Sequence, residues 1–179
     1  MTPAELLILK NAIDADPVLS ALPHTSDDAL AIVAAMSVPT ADFMVWQTSM
    51  PAQTIFDAIT WANLTPTDAP DGTALWTNRS LACQGKQFNL QTILSGRETI
   101  NPAKANIRAG LQDALTSVPS GANGALKSGG WANVQTAMQR KATRGEKLFA
   151  TGTGTAASPA TMTIEGALSY LDVEAARAL

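Results

Sequence analysis

The stretch Leu148–Val173, LFATGTGTAASPATMTIEGALSYLDV, decides how this chain is read. It leaves an apolar pattern of helical period, alternates Gly with Thr from Gly152 to Thr155, and ends on a helix start. The Gly-Thr run is either a phosphate-cradling loop or a joint. A phosphate cradle places its glycines before a helix, because the positive helix end holds the anion. Here they follow a helical run, with no Gly-Lys-Ser/Thr ending and no buried strand ahead of them, so the joint is the better reading. Gly152 stands where a C-cap glycine belongs. Thr153 to Pro159 is then a loop. From Ala160 to Gly166 the chain alternates, with Met162 and Ile164 on one side and Thr161, Thr163 and Glu165 on the other, which is strand period. Ser169 and Asp172 form a capping box that opens a short terminal helix.

Immediately upstream, Val134, Met138, Ala142, Gly145 and Phe149 recur at helical spacing and predict one long helix from Trp131 to Thr151. Ala142 and Gly145 in that stripe point to close approach by another backbone. Arg140, Lys141, Arg144 and Lys147 form a basic stripe on the same predicted helix. A solvated face with cations near the negative helix end explains it, and so does an acidic partner. Trp131, at the exit of the glycine-rich run Ser120–Gly130, is the tryptophan expected to be exposed.

The N-terminal half is strongly punctuated. Thr2-Pro3-Ala4-Glu5 is a capping box with Pro at the first helical position, followed by Leu6, Leu9 and Ile13. Asp16-Pro17 restarts a short helix. Thr25 or Ser26 caps a third, with Asp27 and Asp28 in its first turn and Leu30, Val33 and Met36 along it. Phe43 to Trp46 is a short apolar piece of either type. A fourth helix starts near Pro51 with Ile55, Phe56, Ile59 and Ala62 on one face. Thr65 to Gly72 is dense turn chemistry. Leu75–Ala82 and Phe88–Leu94 read as two short helices punctuated by Gly85 and Gly96. Asn101-Pro102 starts a further helix carrying Ile107, Leu111, Ala114, Leu115 and Val118.

The fold class expected is therefore mainly α: a compact multi-helix domain over residues 1–152, then a loop-strand-helix extension over residues 153–179. A lone strand needs a partner. Two are open, a hairpin with Phe43 to Trp46 or the sheet edge of a neighbouring chain. Met162, Ile164 and Tyr170 of this extension join Trp131 and the four cations as candidate interface residues.

The 179 residues are 46% hydrophobic but only 15% charged, against roughly 25% in ordinary globular domains. A surface this poor in charge fits a subunit held against neighbours. The net charge of -3 argues against nucleic acid. The single cysteine, Cys83, and single histidine, His24, provide neither a disulfide, nor a zinc site, nor a catalytic triad. Neither a membrane span nor a signal peptide is expected, and no cofactor or enzymatic activity.

The chain resembles a family of small tailed-bacteriophage proteins encoded near virion structural genes. The matching pieces are Leu6–Leu9, Asp16–Leu22, Ile100–Gly110 and, most specifically, Lys141–Gly154 continued by Ala160–Tyr170. Between Trp61 and Gly96 the likeness is weak: relatives carry a basic-aromatic helix where this chain has Leu75-Trp76-Thr77-Asn78-Arg79 and Gly85. The family brings no active site. The resemblance implies a virion structural subunit, an adaptor of the neck or tail that works by oligomeric assembly, made in the host cytoplasm. Its partners would be itself and portal, tail or fibre proteins. A non-virion accessory protein and a capsid decoration protein are the alternatives.

Overall fold

The computed structural model of the chain describes residues 1–64, 74–116 and 130–179. The expected turn at Thr65–Gly72 and most of the glycine-rich run at Ser120–Gly130 lie outside them. Along the chain come α1 (Pro3–Asp14), α2 (Pro17–Ser20), α3 (Ser26–Met36), β1 (Pro39–Trp46), β2 (Met50–Pro51) and α4 (Ala52–Ala58). A 3-10 turn, Trp61–Leu64, precedes α5 (Ala74–Leu94), β3 (Thr99–Ile100), α6 (Ala105–Leu115) and α7 (Trp131–Ala137). The chain closes with β4 (Gln139–Thr143), α8 (Arg144–Phe149), β5 (Ala150–Thr151), β6 (Thr161–Met162) and α9 (Tyr170–Arg177). The protein is mainly α with short strands, as the sequence predicts.

These elements gather into two units. One combines Met1–Trp46 with Arg140–Leu179, and the other is Gln47–Gln139. The grouping differs from a body ending at residue 152 with an extension behind it.

In the first unit, local caps set the helices. Thr2 with Glu5, Thr25 with Asp28 and Ser169 with Asp172 all close reciprocal capping boxes, satisfying backbone N–H groups that the first turn leaves open. Asp16 caps α2 through the N–H groups of Val18 and Leu19. The terminal helix α9 packs on α1 and α3. Its Val173 and Ala176 share one core with Leu9, Ile13, Ile32, Met36, Phe149 and Leu168. Buried side chains of this kind stabilise by about 1.5–3 kcal/mol each, so α9 is part of the unit's core.

The strand expected near Met162 exists, and its partners are in its own chain. β6 pairs antiparallel with β5, Ala150 opposite Met162 and Thr151 opposite Thr161. Just before it, Ala160 forms a parallel bridge with Val45 of β1. The Ala160 N–H donates to the Met44 carbonyl at 2.9 Å, and the Ala160 carbonyl accepts the Trp46 N–H at 3.0 Å. Phe43–Trp46 is thus one partner, through a parallel bridge rather than a hairpin. Pairing with a neighbouring chain is not needed.

The predicted helix from Trp131 to Thr151 is three elements. α7 stops at Ala137, β4 runs extended beside β1, and α8 restarts at Arg144. The restart has a local cause: Thr143 and Glu146 close a fourth capping box. Gly145 packs as its small size predicts, since a Cβ there would lie 3.2 Å from Leu168 Cδ1 and 3.4 Å from the Met36 carbonyl.

In the second unit β2 and β3 pair antiparallel, and α5 packs on α6. Two expectations fail here. Gly85 does not break α5, which runs through it. The helix expected from Asn101 begins at Ala105, because Asn101 Oδ1 accepts the Ala103 N–H and holds a turn instead.

Candidate functional site

The basic stripe does not exist as a helix face. Arg140 and Lys141 stand on β4, Arg144 and Lys147 on α8. Arg140 grips Glu146 with two bonds of 2.6 and 2.7 Å and lies 3.7 Å from Glu165. Arg144 bonds Asp16 at 2.6 Å. Lys147 sits 5.3 Å from the centroid of the Phe43 ring, a cation–π distance. Lys141 is exposed. Three of the four cations thus have a partner within their own unit.

Glu146 is the residue the sequence reading passed over. It is only 2% exposed. Besides Arg140 it accepts the N–H of Thr143 at 2.9 Å and of Gly166 at 3.0 Å. Burial pushes its pKa up, but the Arg140 bonds and the two backbone donors outweigh burial and hold it down at about 2. The same contact raises the Arg140 pKa. This carboxylate ties β4, α8 and the Gly166 turn together; its lone pairs are occupied, which makes it a structural anchor. The readable signal was Thr143-x-x-Glu146, the same motif that marks α1.

The other interface candidates separate. Met162 is buried with Val45, Ala142 and Ala160. Ile164 packs against the helical core of the first unit. Met162 is therefore covered within its own unit, whereas Ile164 is half-buried. Trp131 is half-buried, not exposed. Tyr170 remains exposed on the first turn of α9.

The Gly-Thr joint has a specific partner. Gly154 has φ +67°, and a Cβ there would fall 2.2 Å from the Phe43 ring. Its carbonyl accepts the Met44 N–H at 2.7 Å. The glycines therefore let the loop lie flat against β1. A small hollow of about 260 Å³ lies between His24, Thr25, Glu174 and Arg177. Ser26 Oγ donates to Glu174 at 2.8 Å, and Arg177 donates to the Pro23 carbonyl at 2.9 Å.

An open apolar groove lies in the second unit. Phe56 and Trp61 stand with ring centroids 4.5 Å apart, and Trp61 Nε1 donates to the Phe56 carbonyl at 3.0 Å. With Gln87, Gln91, Leu94 and Ser95 of α5 they line a groove of about 580 Å³. The sequence pattern had placed Phe56 with Ile55 and Ile59, but α4 ends at Ala58 and the ring turns outward. On another face, α5 exposes Leu81 at 59% and Phe88 at 68%. Among the described residues no three His, Cys, Asp or Glu side chains gather to hold a metal, and no helix is long and apolar enough to cross a membrane.

Comparison of the chain with family models, with curated proteins and with solved structures gives no match.

Proposed function

We propose that this protein is a structural subunit of a tailed-phage particle, an adaptor of the neck or tail, and that it acts by non-covalent assembly. The observation that carries the reading is the exposed apolar side chains of the second unit, Phe56 and Trp61 at an open groove and Leu81 and Phe88 on another face of α5. Clustered exposed apolar side chains mark surfaces that meet another protein, and aromatic residues dominate the energetics of such contacts. The low charged fraction supports the same reading, as does the resemblance of residues 141–154 and 160–170 to the phage family. Assembly would proceed by burying these side chains against portal, tail or fibre proteins, or against further copies.

Quantitative mass spectrometry of purified particles tests this, with the major capsid protein as internal standard. A few copies per particle is the expected result. Hundreds of copies would make the chain a capsid decoration instead. Absence from clean particles would overturn the structural role and leave a non-virion accessory protein.

A further inference from the structure

We infer that the second unit, Gln47–Gln139, is an insert that opens and closes by itself while the first unit stays folded. Such opening is independent of any role in a particle. The chain leaves the first unit once, after Trp46, and re-enters it once, at Arg140. The two crossings are side by side in the backbone. β1, which ends at Trp46, pairs with β4, which starts at Gln139. All of β1 and residues 140–143 of β4 belong to the first unit, so that unit keeps the ends of the insert together. On the insert's side Gln47 clasps the returning chain. Its N–H donates to the Met138 carbonyl at 3.0 Å, and its Nε2 donates to the Ala137 carbonyl at 2.9 Å.

The first unit also holds itself. Its two chain segments are bound to each other across long sequence distances. Arg144 pairs with Asp16 at 2.6 Å, Glu174 accepts the Ser26 hydroxyl at 2.8 Å, and Arg177 donates to the Pro23 carbonyl at 2.9 Å. Leu9, Ile13 and Ile32 of the N-terminal segment share a core with Phe149, Leu168 and Val173 of the C-terminal one. Opening the insert replaces a closed junction by a free loop from residue 47 to residue 139. Against a short turn, closing a loop of that length disfavours the first unit by roughly a hundredfold. Each buried side chain of this size favours it by at least about tenfold. Several such side chains from each segment meet in the shared core, so burial outweighs the loop.

Local support is divided unequally between the units. In the first, α1, α3, α8 and α9 start on reciprocal capping boxes, and α2 starts on the Asp16 side chain. In the second, α4, α6 and α7 start at Pro51, Lys104 and Gly130 with no side-chain cap. A capped start favours helix about fivefold over an uncapped one. α5 carries Gly85 in its interior, where glycine disfavours helix by about two- to fivefold relative to alanine. The helices of the insert therefore rest on one another: α5 on α6, α6 on α7 and α7 on α4. Helices that depend on mutual packing are lost together, and such low-stability cooperative units are the parts of a protein that reorganise. The opening lets one half of the chain be reshaped while the other half keeps its fold.

Native-state hydrogen exchange of the full chain in low urea tests the device. Amides of α5 and α6 should exchange through an opening at least about tenfold more populated than the one that exposes α1, α3 and α9. Its urea dependence should be the smaller of the two, because only the surface of the insert is exposed. Leu111→Asp traps the open form, since it sets an unpaired charge at a fully buried site on α6. In that variant α5 and α6 should lose protection, while α1, α3 and α9 keep theirs and circular dichroism retains their helical signal. One common opening with one urea dependence across both units overturns the inference. So does a first unit that opens before the second, or a Leu111→Asp chain unfolded throughout.

Discussion

Replacing Glu146 with Gln should unlock the corner where β4 meets α8. The carboxylate is buried, holds Arg140 at 2.6 and 2.7 Å, and accepts the N–H groups of Thr143 and Gly166. Its pKa falls from 4.5 to about 2 on folding. A fall of that size corresponds to roughly 3 kcal/mol of stability at neutral pH. Arg140 is one-third exposed, so solvent screens part of the attraction and about 2 kcal/mol is the better figure. Gln keeps the volume and can still accept one backbone N–H. It offers Arg140 no charge, and it brings an NH₂ group among donors. The sign of the pH dependence follows from the depressed pKa. The contribution is complete above the unfolded value of 4.5 and disappears as pH falls through about 2. Urea unfolding of wild type and Glu146→Gln should therefore differ by about 2 kcal/mol at neutral pH, with the gap closing as pH drops toward 2. Hydrogen exchange at the Thr143 and Gly166 amides should quicken in the variant. A gap below about 0.5 kcal/mol at neutral pH, the worth of an ordinary surface pair, would refute the argument, as would a gap that does not change with pH.

Gly154→Ala forces a Cβ into the Phe43 ring at a φ of +67°. Left-handed strain and overpacking together should cost about 2–5 kcal/mol, visible as a lower midpoint in thermal unfolding. Deleting residues 170–179 removes Val173 and Ala176 from the core shared with Leu9 and Ile32; a loss beyond about 3 kcal/mol is expected. Rapid exchange in α1 and α3 would report it, and protection left at wild-type levels would contradict the core assignment. Cys83 is buried, and burial raises its thiol pKa. It should resist a thiol reagent in the native protein and react fully in urea.

What the sequence made legible was local. Thr2 with Glu5 and Ser169 with Asp172 each fix a helix start within four residues, and both are in place; of Thr25 and Ser26, Thr25 is the cap of α3. The box at Thr143 and Glu146 has the same form, but the 3.6-residue recurrence of Val134, Met138, Ala142, Gly145 and Phe149 ran across it and hid it. Three elements in succession, α7, β4 and α8, imitated one amphipathic helix. Strand β4 could not be read locally, because its partner β1 lies about a hundred residues away. Gly85 misled in the opposite direction: a single glycine costs about 1 kcal/mol in a helix, and packing of α5 on α6 outweighs it. The exposed Phe56–Trp61 pair was hidden because the pattern continued α4 beyond Ala58, which would have buried the ring.

The position of the C-terminal residues changes where assembly has to be sought. A strand without a partner was the strongest physical reason to expect contact through residues 153–179. With β6 on β5, Ala160 bonded to β1 and α9 in the core of its unit, those backbone and apolar groups are already satisfied. A segment whose groups are satisfied gains little by pairing elsewhere, and removing it opens the core, so its deletion cannot report on assembly alone. In the second unit, exposed apolar side chains stand on α5 and on the Phe56–Trp61 rim. There Leu81 and Phe88 stay in water on a helix whose opposite side, Cys83, Leu90 and Leu94, is buried. A helix that folds with large apolar groups on both sides, and no charge among the described side chains of the open one, retains apolar area that a second surface can cover. Variants on that face, rather than at the terminus, separate assembly from folding.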